Sequence, residues 1–183
     1  MPQRRNAIIG MIVLMIAINV GCYFLPIDYT FLGNYAIAGV FGVTAIATAT
    51  IIVPVPYIPV VMHIAQQYHD LYDLVLVALA AGFGSVVGEI SGYVVGRSGR
   101  QAFESTCFSR WVAAQMTHPV RAFVALFALA APPNPLFDVA GMAAGAFGVP
   151  FWVFASAVFC GRFVRMLGIV IISAWYGSAS VIF

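Results

Sequence analysis

A chain of 183 residues that is 63% hydrophobic and 8% charged, with a mean hydropathy of +1.01, is not a soluble domain; there the charged fraction is about a quarter. Apolar runs recur along its whole length, so the composition predicts a polytopic membrane protein built as one membrane domain, without a second soluble module. The net charge of +2 rests on eight arginines and no lysine. Cys22, Cys107 and Cys160 are widely spaced and fall in no metal or disulfide pattern.

In chain order, Arg4 and Arg5 precede an apolar run over about 7–25 that lacks a small-residue cleavage site. It reads as a retained first helix rather than a signal peptide. With the outer loop holding Pro26, Asp28 and Asn34, it forms an N-terminal unit over 1–34. The membrane domain proper is expected over 35–175, with a short tail at 176–183.

That domain opens with a long apolar segment at 35–53. It runs into Pro54-Val55-Pro56-Tyr57-Ile58-Pro59 and continues as a short arm to about 68. Asp70 and Asp73 mark an interface, and a full helix is expected over about 73–97. Arg97 to Arg121 form a polar connection.

A second apolar stretch, 120–149, is broken at Ala131-Pro132-Pro133-Asn134-Pro135. Each of its arms has about 12 to 14 residues, whereas a helix crossing the bilayer core needs roughly 20. The arms are too short to span and too apolar for water, so the stretch reads as a re-entrant hairpin. Broken backbone at membrane depth is tolerated only where protein or a water-filled cavity surrounds it. A last helix over about 150–175 carries Trp152 and Trp175 at its ends, as interfacial anchors.

Placing Arg4 and Arg5 in the cytoplasm puts every basic residue outside the membrane on that side, and the acids of the outer loops on the other. The expected setting is the cytoplasmic membrane of a prokaryote, with the N-terminus inside. A Pro-broken hairpin followed by a full helix then occurs twice, entering from opposite faces. Inverted repeats with discontinuous helices mark the substrate site in many transporters.

The fold class expected is thus an all-α polytopic membrane protein, an inverted repeat of hairpin plus helix. Its hairpin tips are Pro54, Pro56, Tyr57 and Pro59 in the first half and Pro132, Pro133 and Pro135 in the second.

Several residues suit a polar path. Asn134 is a strong N-cap and Pro135 fits the first helical position, so a half-helix would aim its positive end at the midplane, suited to a phosphate. Asp138 lies in that first turn. It is either the internal partner of those N–H groups or a simple helix stabiliser.

In the 73–97 helix Gly84, Gly88, Gly92 and Gly96 form a ridge for close packing, within the protein or in a homo-oligomer. Glu89, Tyr93 and Arg97 share the neighbouring face. Glu89 lies about 12 Å deeper than Arg97, so the two cannot pair. Arg162 has a similar depth in the last helix, and Glu89 with Arg162 is the expected intramembrane pair, Arg165 standing beside it. A fixed structural ion pair is the alternative. Tyr57 sits at the first break, for hydrogen bonding or packing. His63, His69 and His118 read as structural, and Arg110 and Arg121 face anionic headgroups.

No nucleophile–base set, P-loop or cluster of metal ligands is present. An enzyme, a resident cofactor or metal and a nucleic-acid partner are therefore not expected.

Pro133-Asn134-Pro135-Leu136-Phe137-Asp138, with Ala140-Gly141, Gly145 and Val149-Pro150-Phe151-Trp152, closely resemble the VTT domain of vacuole membrane proteins. Gly88-Glu89, Gly92-Tyr93, Gly96-Arg97 and Gly99 resemble the wider DedA and SNARE-associated Golgi protein family, and the resemblance covers about 35–172. It implies two opposed re-entrant hairpins and a lipid scramblase or flippase, with phospholipid or undecaprenyl phosphate as cargo. Bacterial members commonly carry an acid in the first hairpin and an Arg in the second. Neither stands at Pro54–Val61 or Ala131–Pro135 here, which turns the expectation toward ordinary phospholipids. The reading is a transporter that moves phospholipid or another amphipathic lipid between leaflets. The alternatives are a proton- or ion-coupled transporter of undecaprenyl phosphate or a small solute, and a purely structural membrane protein.

Overall fold

A computed structural model describes residues 17–18, 20–22, 30–50, 56–99, 114, 116, 118–132 and 136–180. Most of the expected first helix, and Pro54, Arg110, Pro133, Asn134 and Pro135, lie outside these residues. The described elements are helical throughout. A 3-10 segment, Thr30–Tyr35, leads into α1 (Ala36–Ala49), followed by α2 (Tyr57–Ala65) and α3 (Leu71–Ser98). The second half holds α4 (Pro119–Ala130), α5 (Leu136–Ala146) and α6 (Phe151–Ser180).

Local chemistry sets the boundaries. Asp70 in extended backbone precedes α3, Asp73 stands in its first turn and Arg97 in its last, the charge order that the helix dipole favours. Pro119 occupies the first turn of α4 after an extended His118, where its missing N–H costs no helical bond. α5 ends at Gly148, whose φ of 73° only glycine adopts freely. The Val149 N–H returns to the Ala144 carbonyl at 3.0 Å and that of Gly148 to Gly145 at 3.1 Å. This is the paired C-terminal bonding of a Schellman turn. Pro150 then stops the chain and its carbonyl accepts the first amides of α6.

Three segments are long and apolar enough to cross a membrane: Leu32–Ala49, Leu71–Ser98 and Phe151–Trp175. The 28 residues of α3 reach about 42 Å and the 30 of α6 about 45 Å, against a hydrocarbon core of roughly 30 Å. With 9, 12 and 11 residues, α2, α4 and α5 are too short to cross. The second hairpin thus has two short arms, as its sequence predicts. The first is uneven: α1 joined to the turn before it reaches 18 residues, and α2 does not approach that length.

α3 and α6 are the two pillars, packed on each other. α1 and α5 pack on α3, and α4 and α2 pack on α6. Exchanging the halves maps α1 on α3 to α4 on α6, and α2 on α6 to α5 on α3. The core follows the same division. One apolar cluster joins Val40, Ile64, Val77 and Ala81 to Met166 and Val170. The other joins Tyr93, Leu126, Phe137 and Ala144 to Phe154 and Val158. The first half of α3 therefore lies beside the second half of α6, and the pillars run antiparallel, as an inverted repeat requires.

The glycine ridge serves two interfaces. A Cβ at Gly84 or Gly88 would strike α1 at Thr44 or Thr48, whereas one at Gly96 would strike the Met142 carbonyl of α5. Each step of four residues turns the ridge by about 40° around the helix, enough over its length to face a different neighbour.

Candidate functional site

Between the two apolar clusters lies a buried ion pair. Arg162 Nη2 of α6 donates to Glu89 Oε1 of α3 at 2.6 Å. On α3, Glu89 falls between Ala81 of one cluster and Tyr93 of the other; on α6, Arg162 falls between Val158 and Met166. Both are almost wholly buried, at 4% and 5% exposure. Counted from the same face, Glu89 lies about 14 Å and Arg162 about 17 Å along its pillar. Two charges at this depth are costly unless paired and hydrogen-bonded.

Both short returning arms reach this pair with their N-terminal turns. Tyr57, the first residue of α2, accepts a long contact from Arg162 Nη1 at 3.4 Å. Phe137, the second residue of α5, places its ring 4.8 Å from the Arg162 guanidinium carbon, a cation–π contact that gains strength when water is excluded. Asp138, next along α5, is within electrostatic reach of Glu89 and of Arg162. Arg165 stands one turn beyond Arg162, half-buried, with Tyr57 and Arg162 as its electrostatic neighbours. A Cβ at Gly141 would lie 3.7 Å from Glu89 Oε2, an ordinary van der Waals contact, so α5 passes close to the carboxylate at this point.

Of the expected path residues, the structure brings together Glu89, Arg162, Arg165 and Asp138, and the tip residue Tyr57 joins them. It sets Tyr93 and Arg97 apart. Arg97 Nη1 donates to Tyr93 Oη at 3.1 Å, and that hydroxyl donates to the Val149 carbonyl at 2.6 Å. The Tyr93 ring stacks on Phe154 and meets Phe151 edge-on. The shared face on the helix is real, but two turns of rise carry Arg97 out to the surface at the end of α3. There it ties α3 to the turn between α5 and α6.

Among the tip residues, Pro56 precedes α2, Pro59 is buried within it and Pro132 is exposed after α4. His63 Nδ1 lies 2.8 Å from the Pro59 carbonyl, His69 and His118 are exposed, and Arg121 is exposed on α4.

Phe137 is the site residue that reading the sequence missed. It stood inside a recognised motif, yet nothing in its type distinguishes a ring under a guanidinium from a ring in the core. Two further bonds also escaped notice: Ser173 Oγ donates to the Met62 carbonyl at 3.0 Å, and Ser91 Oγ to that of Ala49 at 3.1 Å. Each ties an arm of the first hairpin to a pillar.

An apolar cavity of about 340 Å³ lies between α3 and α6, lined by Phe83, Val86, Phe151, Trp152 and Phe159 among others. Phe83 and Trp152 are exposed on its rim. Among the described residues, no three His, Cys, Asp or Glu side chains gather to hold a metal ion.

Fold and site together define an integral membrane protein with two opposed, broken helical hairpins meeting at a buried charge pair. The VTT domain family matches residues 55–174, which is more than half of the chain. The protein belongs to that family.

Similar proteins carry the corresponding name. Vacuole membrane protein KMS1 of Arabidopsis thaliana is 31% identical over 109 residues, covering 48% of this chain and 26% of its own length. Vacuole membrane protein 1 of Homo sapiens is 31% identical over 102 residues, covering 44% and 25%. The Vacuole membrane protein 1 homolog of Dictyostelium discoideum is 52% identical over 42 residues, covering 23% and 10%. The matched region thus spans about a quarter or less of these relatives. No solved structure matches.

Proposed function

We propose that the protein moves phospholipid, or another amphipathic lipid, between the leaflets along the surface where its two hairpins meet. The observation that carries this reading is the convergence of both N-terminal arm ends on one buried, charge-bearing waist. Discontinuous helices ending at the bilayer midplane are the usual setting of a transport site. A headgroup needs polar partners at that depth, which Glu89, Arg162, Arg165, Asp138 and Tyr57 supply. The acyl chains need an apolar path open to the bilayer, and the groove between α3 and α6 gives one. On this reading the protein is a carrier rather than an enzyme, Arg97 and Arg121 lie on the cytoplasmic side, and α1 enters from outside.

Purified protein in liposomes holding a fluorescent phospholipid in both leaflets is expected to expose the inner-leaflet dye to external dithionite without any ion gradient. The charge-reversed double variant E89R/R162E keeps a pair but inverts the field at the waist, and is expected to slow the movement. Equal rates for wild type and this folded variant would falsify the assignment of the path to the waist. Movement that needs an imposed pH gradient supports the coupled transporter instead, in which the Glu89–Arg162 pair opens and closes with the cycle.

A further inference from the structure

The two arm ends that meet at the waist are not equivalent. α5 carries its own anion, Asp138, in the first turn. α2 has no acidic residue in its first turn, and Pro56 before it gives no side-chain cap. A helix N-terminus carries about half a positive charge, and among the described residues no side chain caps this one. The side chains around that end are cationic as well. Arg162 and Arg165 project from neighbouring turns of α6, three residues apart; Tyr57 contacts Arg162 at 3.4 Å and is an electrostatic neighbour of Arg165.

Only one of the two arginines is matched. Arg162 bonds Glu89 and has Asp138 in reach, yet its Nε is buried without a hydrogen-bond partner. Arg165 also holds a buried, unpartnered Nε, and among the described residues no carboxylate acts on it. A guanidinium at this depth without an anion is costly.

We propose that the N-terminal end of α2, with Tyr57, Arg162 and Arg165, is a binding site for one phosphate oxyanion. Its oxygens take the place of the missing counter-charge: Arg165 donates to it, the Arg162 Nε has an acceptor at last, and the Tyr57 hydroxyl and the first amides of α2 complete the cradle. Helix N-termini bind phosphate in this manner in soluble proteins, and an arginine fork suits its geometry. The site deepens the lipid-moving reading, on which the choice of a phospholipid headgroup as its source rests; free phosphate shares the same chemistry.

The test is equilibrium binding to the full-length protein in uncharged detergent. The probes are a short-chain phosphatidic acid, inorganic phosphate and the matching diacylglycerol, which lacks phosphate. Phosphatidic acid is expected to bind and diacylglycerol not to. R165Q should weaken binding tenfold or more, on the order of one lost charge-assisted hydrogen bond. R165K should restore part of it, and Y57F, which leaves both charges in place, should lose less than R165Q.

Inorganic phosphate binding as tightly as the lipid supports the oxyanion site and assigns free phosphate as its source. Wild-type affinity in folded R165Q, or equal binding of diacylglycerol, overturns the site. The two proposals fail separately. A wild type that binds phosphate but moves no lipid sinks the transport reading alone, whereas lipid movement with no phosphate binding sinks this one alone.

Discussion

Replacing Glu89 by Leu should destabilise the fold by about 3–5 kcal/mol, because it strips the counter-charge from a guanidinium that has nowhere to go. The 2.6 Å bond joins side chains exposed by 6% and 4%, so bulk solvent takes up little of the load. What remains for Arg162 is the Tyr57 hydroxyl at a long 3.4 Å, the Phe137 ring at 4.8 Å and Asp138 within electrostatic reach but not hydrogen-bonded to it. The ring contributes roughly 2 kcal/mol at best in a desolvated site, too little to replace a carboxylate. The double variant E89L/R162M removes both charges and leaves apolar groups of similar length, a change that buried pairs often tolerate at little cost. The double-mutant cycle is therefore expected to show a coupling of at least about 3 kcal/mol, more than a hundredfold in the folding equilibrium. Reversible unfolding in mixed micelles with increasing dodecyl sulfate, followed by far-ultraviolet circular dichroism, measures it. Additive single and double variants, or an E89L protein as stable as wild type, would refute the claim that this pair holds the waist together.

Other substitutions probe the packing around the pair. Gly96→Val drives a β-carbon onto the Met142 carbonyl. Backbone must move, so a loss in the upper part of the roughly 1–3 kcal/mol range for overpacking is expected in the same unfolding assay. Gly168→Ala meets nothing within 4 Å and should be neutral, or up to about 1 kcal/mol stabilising through helix propensity; a loss as large as that of Gly96→Val would show that glycine content rather than contact geometry matters. Tyr93→Phe leaves the Val149 carbonyl without its donor and should cost about 1–3 kcal/mol, so an unchanged unfolding midpoint would remove Tyr93 from the link between α3 and the α5–α6 turn.

Legibility in the sequence followed from how local each signal was. The second hairpin announced itself because a proline cluster stands in the middle of an apolar stretch too short for two crossings. The start of the last helix at about 150 marked where the hairpin's second arm ends. The pairing of Glu89 with Arg162 was readable across 73 residues because rise per residue converts helix position into depth, and two opposite charges at one depth must meet or be neutralised. Facing is harder than depth. Arg97 shares a helix face with Glu89 but not a neighbour, and the glycine ridge turns from α1 to α5 within a single helix. The contact between Tyr57 and Arg162 spans 105 residues and depends on how α2 leans on α6, which no local pattern encodes.

The antiparallel pillars also explain why the waist is polarised rather than merely polar. An inverted repeat turns both returning arms so that their N-terminal ends, of the same sign, face one centre. Left alone, two such ends in a low-dielectric interior repel. The pillars answer with opposite charges: Glu89 comes from α3, against which α5 packs, and Arg162 and Arg165 come from α6, against which α2 packs. The α5 end therefore carries both carboxylates, Glu89 and Asp138, with Arg162 in reach of each, while Arg165 adds a second cation on the side of α2. On the lipid-moving reading, this order matters for selectivity. A headgroup carrying only a phosphate is drawn toward α2 and repelled from α5, whereas a zwitterionic one meets a matching pole on each side. Asp138→Asn weakens one pole while sparing the 2.6 Å bond, so it is expected to slow a zwitterionic phospholipid relative to phosphatidic acid in the liposome assay. An equal effect on both would show that the two poles do not act on the headgroup.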